Sequence, residues 1–178
     1  MSNLQIEFKN RYEELCKAPS DINEHLPTLY ELGLEVNHIT EMGVRTGRST
    51  SAFLNLVVNH DKKLISIDYK EDKTVSESFN KVRNLGKNAS YLIASTLSID
   101  IESTDLLFID TDHTYQQLKT ELSLHGNKAK KYIVMHDTTT FPDLNLAINE
   151  FLANNKHWKI KKVYKHNNGL TVLERTNG

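Results

Sequence analysis

The chain has 178 residues, enough for one domain with a single hydrophobic core. Its formal net charge is -1, so it lacks the basic excess that a nucleic-acid or membrane surface would need. The single cysteine, Cys16, excludes an intramolecular disulfide framework and a cysteine-based zinc site. The charged N-terminus does not predict a signal peptide, and no apolar run reaches membrane-spanning length. We expect one domain over residues 1–178 in a reducing, cytoplasmic setting, with neither a nucleic-acid nor a membrane partner.

The first 36 residues predict helices, over residues 4–17 and from Ser20–Asp21 to a terminating Gly33. From residue 37 onwards, strand and helix patterns alternate. The strand patterns are "NHITEM", "KLISIDY", "ASYLIAS", "TDLLFID" and "KYIVMHD". Helical patterns cover residues 49–59, 76–84, 115–124 and 144–154. Two final strand patterns, "WKIKKVYKH" and "LTVLERT", are joined by "NNG" and predict a hairpin.

This alternation predicts an α/β fold of three αβα layers, with a Rossmann-like, doubly wound and mostly parallel sheet that ends in an antiparallel hairpin. In such sheets, ligands bind beyond the carboxyl ends of the strands, where the strand order reverses. The side chains expected at these ends are Glu41, Asp68, Ser95, Asp110 and Asp137. Four of the five are carboxylates, so we expect the ligand site at this edge of the sheet.

A glycine turn, within "EMGVRTGRST", follows the first strand pattern. A phosphate loop needs G-x-x-x-x-G-K-[ST], but three residues separate Gly43 from Gly47, and Arg48 replaces the lysine. A dinucleotide fingerprint needs G-x-G-x-x-G, and Arg45 stands where its second glycine would let the pyrophosphate approach. The second motif fails more clearly than the first, because the bulky Arg45 side chain would block the pyrophosphate. The phosphate loop stays an alternative, since "DLLFID" is compatible with the strand that accompanies such a loop.

The charge beside the turn favours a cationic ligand. The carboxylate of Glu41 would repel a polyphosphate by up to several kcal/mol at ~4 Å. S-adenosylmethionine has a sulfonium and an ammonium group that Glu41 would attract, and its ribose hydroxyls could donate to Asp68. Ser49, at the helix start, could donate to the carboxylate of the ligand. The other interpretation is that Gly43 and Gly47 only form a tight turn and that Glu41 is an exposed strand end.

Four stretches carry a resemblance to a known family: "TEMGVRTGRST", "LISIDY", "DLLFIDTDHTYQQLKTEL" and "YIVMHDT", between about residues 39 and 138. Through them the chain resembles the class I S-adenosylmethionine-dependent methyltransferases, which have a seven-stranded fold. Within that class it resembles a metal-dependent O-methyltransferase group that includes the macrocin and mycinamicin O-methyltransferases and the cephalosporin-hydroxylase-like proteins. The first two stretches are general to the superfamily, whereas "FIDTDHTY" followed by "HD" at a strand end is far more specific.

The resemblance implies cofactor contacts at the following residues: Glu41, Gly43, Ser49, Asp68 and Ser95. Gly47 of the same turn is a further predicted contact. The chain departs from the pattern at Ser95, where an acid often meets the adenine, and at Thr111, where the group has a small residue. It departs again at His136, where relatives often have a carboxylate.

Asp110 and Asp137 end two successive strand patterns and would face one crevice if those strands are neighbours. Two carboxylates suit a hard cation such as Mg²⁺, which could orient a substrate hydroxyl and lower its pKa. The resemblance implies that Asp110 and Asp137 are metal ligands, with His136 as a further candidate. His113 could accept the hydroxyl proton, and the resembling sugar O-methyltransferases use a histidine here as base. Alternatively, Asp110 or Asp112 only caps the next helix.

We therefore predict an S-adenosylmethionine-dependent, Mg²⁺-assisted O-methyltransferase that acts on a hydroxyl of a sugar or other small molecule. Phe141 is either a platform for this acceptor or an ordinary packing residue. Two other functions stay open, namely a degenerate phosphate-loop phosphotransferase and a catalytically silent subunit that binds the cofactor. A homo-oligomer is also left open, because no inserted lid domain supplies acceptor contacts.

Overall fold

A seven-stranded sheet organises residues 2–176, the part of the chain that the computed structural model describes. The strands are β1 (His38–Met42), β2 (Lys63–Asp68), β3 (Ala89–Ile93), β4 (Thr104–Ile109), β5 (Ala129–His136), β6 (Trp158–Tyr164) and β7 (Leu170–Arg175). Their order is β3-β2-β1-β4-β5-β7-β6. Strand β7 is antiparallel to both of its neighbours, and the other adjacent pairs are parallel. The predicted parallel sheet with a terminal antiparallel hairpin is confirmed.

Helices cover both faces of this sheet. They are α1 (Asn3–Lys17), α2 (Leu26–Leu34), α3 (Arg48–His60), α4 (Lys73–Asn84), α5 (Tyr115–His125) and α6 (Leu144–Asn154), with short 3₁₀ turns at Asn23–His25 and Gly126–Lys128. Helices α1 to α4 share one hydrophobic core with the sheet, and α5 and α6 share the other. Within residues 2–176, no helix is both long enough and apolar enough to cross a membrane.

The alternation of side chains along β4 shows how the two cores arise. Leu106 and Phe108 point into the core beneath α1 to α4, whereas Leu107 and Ile109 point into the core beneath α5 and α6. Successive side chains of a strand face opposite sides of the sheet, so a strand buried on both faces reads as a continuous apolar run. The predicted three-layer arrangement follows from this pattern.

The predicted bounds of the second helix are wrong at both ends. The Ser20 Oγ accepts hydrogen bonds from Ile22 N and Asn23 N, and it thereby stabilises the 3₁₀ turn rather than starting α2. Gly33 lies inside the last turn of α2, where an added Cβ would come within 2.2 Å of a Leu56 side-chain carbon. Gly33 therefore allows α2 to pack closely on α3 and does not terminate the helix.

Helix caps explain two other boundaries. Helix α4 begins at Lys73, before the predicted residue 76, because the Asp72 carboxylate accepts a hydrogen bond from Val75 N at 3.0 Å. Thr114 caps α5 by accepting from Gln117 N at 3.2 Å. The alternative that Asp110 or Asp112 caps this helix is therefore wrong.

Candidate active site

The reversal of strand order lies between β1 and β4, and the glycine turn meets the loop after β4 at this point. Gly43 has φ +88°, and its amide donates to Ile67 O at 2.9 Å. Asp110 N donates to Met42 O at 2.8 Å. A Cβ at position 43 would lie 2.0 Å from Asp110 O. Glycine is therefore required here for the two loops to touch.

Glu41 lies beneath the turn and is fully buried. Its Oε1 accepts hydrogen bonds from Ser49 Oγ at 2.6 Å and Thr50 Oγ1 at 3.1 Å, and its Oε2 accepts from Ser66 Oγ at 2.5 Å. Ser49 and Thr50 belong to α3, so the Glu41 side chain faces this helix. The predictions that Glu41 points into the crevice or is an exposed strand end are both wrong. The Ser49 hydroxyl is donated to Glu41 rather than offered to a ligand.

The environment of Glu41 favours its protonated form. Burial raises the pKa of Glu41 to about 7, although the Ser49, Ser66 and Thr50 hydroxyls act in the opposite direction by donating to the carboxylate. Near neutral pH, the negative charge of this side chain is therefore only partly developed.

Asp68, the last residue of β2, organises the glycine turn. Its Oδ2 accepts from Val44 N at 2.8 Å and Arg45 N at 2.9 Å, and its Oδ1 accepts from Lys70 N at 3.0 Å. A carboxylate has about four acceptor positions, so Oδ1 retains capacity for a ligand hydroxyl. In a phosphate loop, such backbone amides would face an anion. Here they already face a carboxylate, which disfavours the phosphate-loop alternative.

Ser95 lies two residues beyond β3 and is exposed. Its hydroxyl accepts from Leu97 N, and its carbonyl accepts from Ser98 N and Ile99 N. The neighbouring Ala94 N donates to Asp68 O at 2.9 Å, which keeps the loop beside the end of β2. The structure thus places Ser95, Asp68 and the glycine turn at one edge of the sheet.

Two carboxylates and two imidazoles meet after β4 and β5. The His113 Nε2 lies 2.7 Å from Asp137 Oδ2 and 3.6 Å from Asp110 Oδ1. The His136 Nδ1 lies 3.2 Å from Asp110 Oδ1 and 3.2 Å from Asp137 Oδ2. The His136 and Asp137 side chains are buried, whereas 36% of the His113 side chain is exposed. The cluster therefore opens to solvent on the His113 side.

The charges of this cluster stabilise one another. The neighbouring carboxylates of Asp110 and Asp137 raise the pKa of His113 to about 9. Burial lowers the pKa of His136, but hydrogen bonds to the same carboxylates outweigh burial and raise it to about 10. Burial alone would raise the pKa of each carboxyl, yet the imidazoles hold both pKa values below their usual range. Two imidazolium and two carboxylate groups leave the cluster neutral near pH 7.

Backbone carbonyls orient the His136 ring. Its Nε2 lies 3.0 Å from Asp21 O and 3.3 Å from Asn167 O. Carbonyl oxygens only accept hydrogen bonds, so Nε2 carries a proton and Nδ1 faces the carboxylates. Asp110, His113 and Asp137 each offer a ligand atom within 4.8 Å of the other two. The structure thus places His113, predicted as the base, in a group of three residues that could hold a cation. His136, predicted as a metal ligand, lies behind the two carboxylates of this group.

The β6–β7 hairpin contributes a site residue that we did not predict. The Asn168 Nδ2 donates to Asp137 Oδ1 at 2.8 Å, and Asn168 O accepts from Thr139 N and Thr140 N. This contact arises because Leu170 of β7 pairs with His136 of β5. The "NNG" turn was the available signal, since asparagine tolerates the left-handed backbone found there. Only the strand order places that turn beside Asp137.

The segment between α1 and α2 borders the cluster from another side, again without a sequence prediction. The Asp21 carboxylate pairs with Arg45 Nη1 at 2.7 Å, which links this segment to the glycine turn. Asn167 Nδ2 donates to Ser20 O at 2.6 Å. His25, to which we assigned no role, is fully buried with its Nε2 3.0 Å from His166 O.

Phe141 lies at the open side of the cluster. Its ring packs on the His113 imidazole with centroids 4.6 Å apart and remains partly exposed. Phe141 therefore packs against His113, as the packing interpretation predicts, and keeps part of its ring exposed.

Comparison with known proteins identifies the family. A sequence model described as a methyltransferase domain matches residues 40–138, more than half of the chain. The chain belongs to this methyltransferase family. No curated protein matches it. The family and the confirmed fold together make the chain an S-adenosylmethionine-dependent methyltransferase.

Solved structures share the fold of this methyltransferase at low sequence identity. The SAH-bound methyltransferase PaMTH1 of Podospora anserina is 15% identical, with 99% of this chain and 89% of that chain covered and a TM-score of 0.63. A methyltransferase from Geobacter sulfurreducens is 14% identical, with coverages of 99% and 90% and a TM-score of 0.64. The O-methyltransferase NovP is 15% identical, with coverages of 87% and 81% and a TM-score of 0.66.

Gly43→Ala should destabilise the protein by about 2–4 kcal/mol, because it combines a left-handed backbone with a collision against Asp110 O. Gly86→Ala is the matched control, since Gly86 has φ +71° but an added Cβ meets nothing within 4 Å. We expect about 1–2 kcal/mol for this control. Urea unfolding measures both values, and equal losses would contradict a role for the close approach at Gly43.

Glu41→Gln should gain stability relative to the unmodified protein as pH rises from about 5 to about 7. The Glu41 carboxyl has a pKa of about 7 in the folded protein and an ordinary value of 4.5. Between these two pH values it is ionised in the unfolded chain but keeps its proton in the folded protein. Rising pH therefore favours unfolding of the unmodified protein, whereas glutamine does not ionise. One pKa unit corresponds to about 1.4 kcal/mol, so the difference should approach ~3 kcal/mol. Urea unfolding at several pH values tests this, and a pH-independent difference would show that Glu41 is ionised throughout.

Proposed function

We propose that this methyltransferase transfers the methyl group of S-adenosylmethionine to a hydroxyl of a sugar or other small molecule, assisted by Mg²⁺. The observation that carries the proposal is the convergence of Asp110, His113 and Asp137 beside the glycine turn at the reversal of strand order. A hydroxyl must be oriented and deprotonated before it attacks a methyl group, and this cluster offers groups for both tasks. The resemblance to metal-dependent O-methyltransferases supports the same reaction.

The cofactor is proposed to lie across the carboxyl ends of β1, β2 and β3. Asp68 Oδ1 would accept a ribose hydroxyl, and the exposed Ser95 would border the adenine. Gly43 and Gly47 would contribute by shaping the turn, because an added Cβ would collide with Asp110 O at position 43 and with a Val75 methyl carbon, 2.7 Å away, at position 47. Glu41 would support this turn from beneath, where the Ser49 hydroxyl holds its side chain in place.

The donor set fits a divalent cation. Asp110 and Asp137 supply the carboxylate oxygens that Mg²⁺ prefers, and a His113 nitrogen lies within the same 4.8 Å group. His136 fits as a ligand less well, because its Nδ1 already faces both carboxylates and its Nε2 faces carbonyls. When bound, the cation would orient the acceptor hydroxyl and lower its pKa.

His113 is proposed as the base. Asp137 and the Phe141 ring fix the orientation of its imidazole at the open side of the cluster. To act as the base, His113 must be in its neutral form with its Nε2 released from Asp137 Oδ2. The proton of the acceptor hydroxyl would then move to Nε2 as the oxygen attacks the sulfonium methyl in line and the carbon–sulfur bond breaks to leave a thioether. The acceptor would enter over Phe141. One nitrogen cannot bind a cation and take a proton at the same time, so the base role requires that the carboxylates alone hold the cation.

Calorimetric titration should show binding of S-adenosylmethionine, and Asp68→Asn should weaken it roughly tenfold or more, since hydrogen bonds to a charged group contribute about 1.5–3 kcal/mol. Asp61→Asn is the control, because Asp61 is an exposed carboxylate in a left-handed position that asparagine tolerates. It should leave the affinity unchanged. Binding of Mg-ATP without binding of S-adenosylmethionine would instead support the phosphotransferase alternative.

Asp137→Asn and His113→Gln should each lower methyl transfer to hydroxyl acceptors by about 10²–10⁴-fold, while affinity for S-adenosylmethionine stays within about threefold. Asparagine also tolerates the left-handed backbone of residue 137, where φ is +62°. Stimulation by Mg²⁺ should disappear in Asp137→Asn and persist in His113→Gln. His157→Gln, at the far end of the sheet, controls for loss of a histidine.

Three results would change the proposal. Full methyl transfer by both variants would exclude this mechanism. Loss of Mg²⁺ binding in His113→Gln would make His113 a metal ligand rather than the base. Cofactor binding by the unmodified protein, with no turnover across hydroxyl acceptors, would indicate a catalytically silent subunit.

A further inference from the structure

A buried carboxylate on α5 lies outside the groups assigned so far. Glu121 is 0% exposed. Its Oε1 accepts hydrogen bonds from Thr96 Oγ1 at 2.6 Å and Gln117 Nε2 at 2.9 Å, and its Oε2 accepts from Thr111 Oγ1 at 2.8 Å. The partners of this carboxylate are hydroxyl and amide groups rather than a cation.

Two of these partners belong to loops that border the ligand site. Thr96 follows Ser95 in the loop after β3, and Thr111 follows Asp110 in the loop after β4. The carboxylate of Glu121 therefore connects the loop beside the proposed cofactor site with the loop that bears the acid–imidazole cluster.

The same face of α5 holds Thr96 with two further side chains. Gln117, Glu121 and His125 are spaced four residues apart, so they lie on one face of the helix. Gln117 Nε2 donates to Thr96 Oγ1 at 3.2 Å, and His125 Nε2 lies 2.7 Å from Thr96 O. Thr96 is therefore fixed to α5 through both its hydroxyl and its carbonyl.

Packing alone does not account for a carboxylate at position 121. Burying this group without a cation has a large desolvation cost, and an apolar side chain of similar size would fill the space without that cost. A carboxylate can accept hydrogen bonds from several directions at once, whereas an apolar side chain cannot. The contacts with two separate loops use this property.

We propose that Glu121 is a positioning residue that ties the loop of residues 95–99 to the loop of residues 110–114. Consecutive Cα atoms are about 3.8 Å apart, so a displacement of Thr111 passes directly to Asp110. The tie keeps the cofactor side and the acceptor side of the site at a fixed separation. Its consequence for ligand binding rests on the proposed function, but the tie itself does not.

Variants of Thr111 test this inference without removing the buried carboxylate. Thr111→Val deletes the hydroxyl donor and keeps the side-chain shape, whereas Thr111→Ser keeps the donor. Thr120→Val is the matched control, since Thr120 Oγ1 donates to Gln116 O within α5 at 2.8 Å. Amide hydrogen exchange of both loops is measured first, and the affinity for S-adenosylmethionine second.

We expect Thr111→Val to increase amide exchange roughly tenfold in both loops, including residues 98 and 99, whose amides donate to Ser95 O. We also expect it to weaken S-adenosylmethionine binding about three- to tenfold. Thr111→Ser and Thr120→Val should resemble the unmodified protein in both measurements.

Faster exchange confined to residues 110–114 would overturn the tie. A fall in Tm with unchanged exchange in both loops would also overturn it and indicate a packing role. Faster amide exchange in both loops of Thr111→Val, with unchanged affinity for S-adenosylmethionine, would overturn the positioning role. The unmodified protein could also fail to bind S-adenosylmethionine while Thr111→Val shows faster amide exchange in both loops. That result would support the tie and overturn the proposed function.

Discussion

The close approach between the glycine turn and the loop after β4 is the constraint on which the site depends. Without a side chain at Gly43, the turn can lie against Asp110 O, where a Cβ would come within 2.0 Å. This contact brings the ends of β1 and β4 together at the reversal of strand order. It also sets the turn so that its amides reach Asp68. One backbone contact thus places the proposed cofactor site and the acid–imidazole cluster side by side.

Charge is handled differently in the two halves of the site. Beneath the loops, the buried carboxylates of Glu41 and Glu121 are held mainly by hydroxyl groups, which fix geometry through short, directional bonds. At the open side, Asp110 and Asp137 are balanced by imidazoles whose protons can move. Glu41 and Glu121 therefore support the loops from beneath. Asp110 and Asp137 keep charges that can respond to the proposed cation, cofactor or acceptor.

Much of this arrangement could be predicted from the sequence, but side-chain direction could not. Strand–helix alternation was sufficient for the sheet, and successive acidic strand ends were sufficient to bring Asp110 and Asp137 together. Glu41 shows the limit, because successive side chains of a strand face opposite sides of the sheet, and the sequence did not indicate that the Glu41 carboxylate faces α3. Asn168 shows another, since its contact with Asp137 depends on β7 lying between β5 and β6. Local pattern does not determine such long-range pairing.

The border of the acid–imidazole cluster comes from segments that the sheet itself does not dictate. Asp21 and Asn167 orient His136 through their carbonyls, and they belong to an interhelical segment and a hairpin turn. Loops of this kind tolerate changes in sequence and length better than the strands they connect. Because both segments touch His136, a change in either can alter the orientation of this imidazole and, through it, the two carboxylates that it faces. The sheet thereby fixes the positions of the proposed catalytic groups, while loops from distant parts of the chain adjust their orientation.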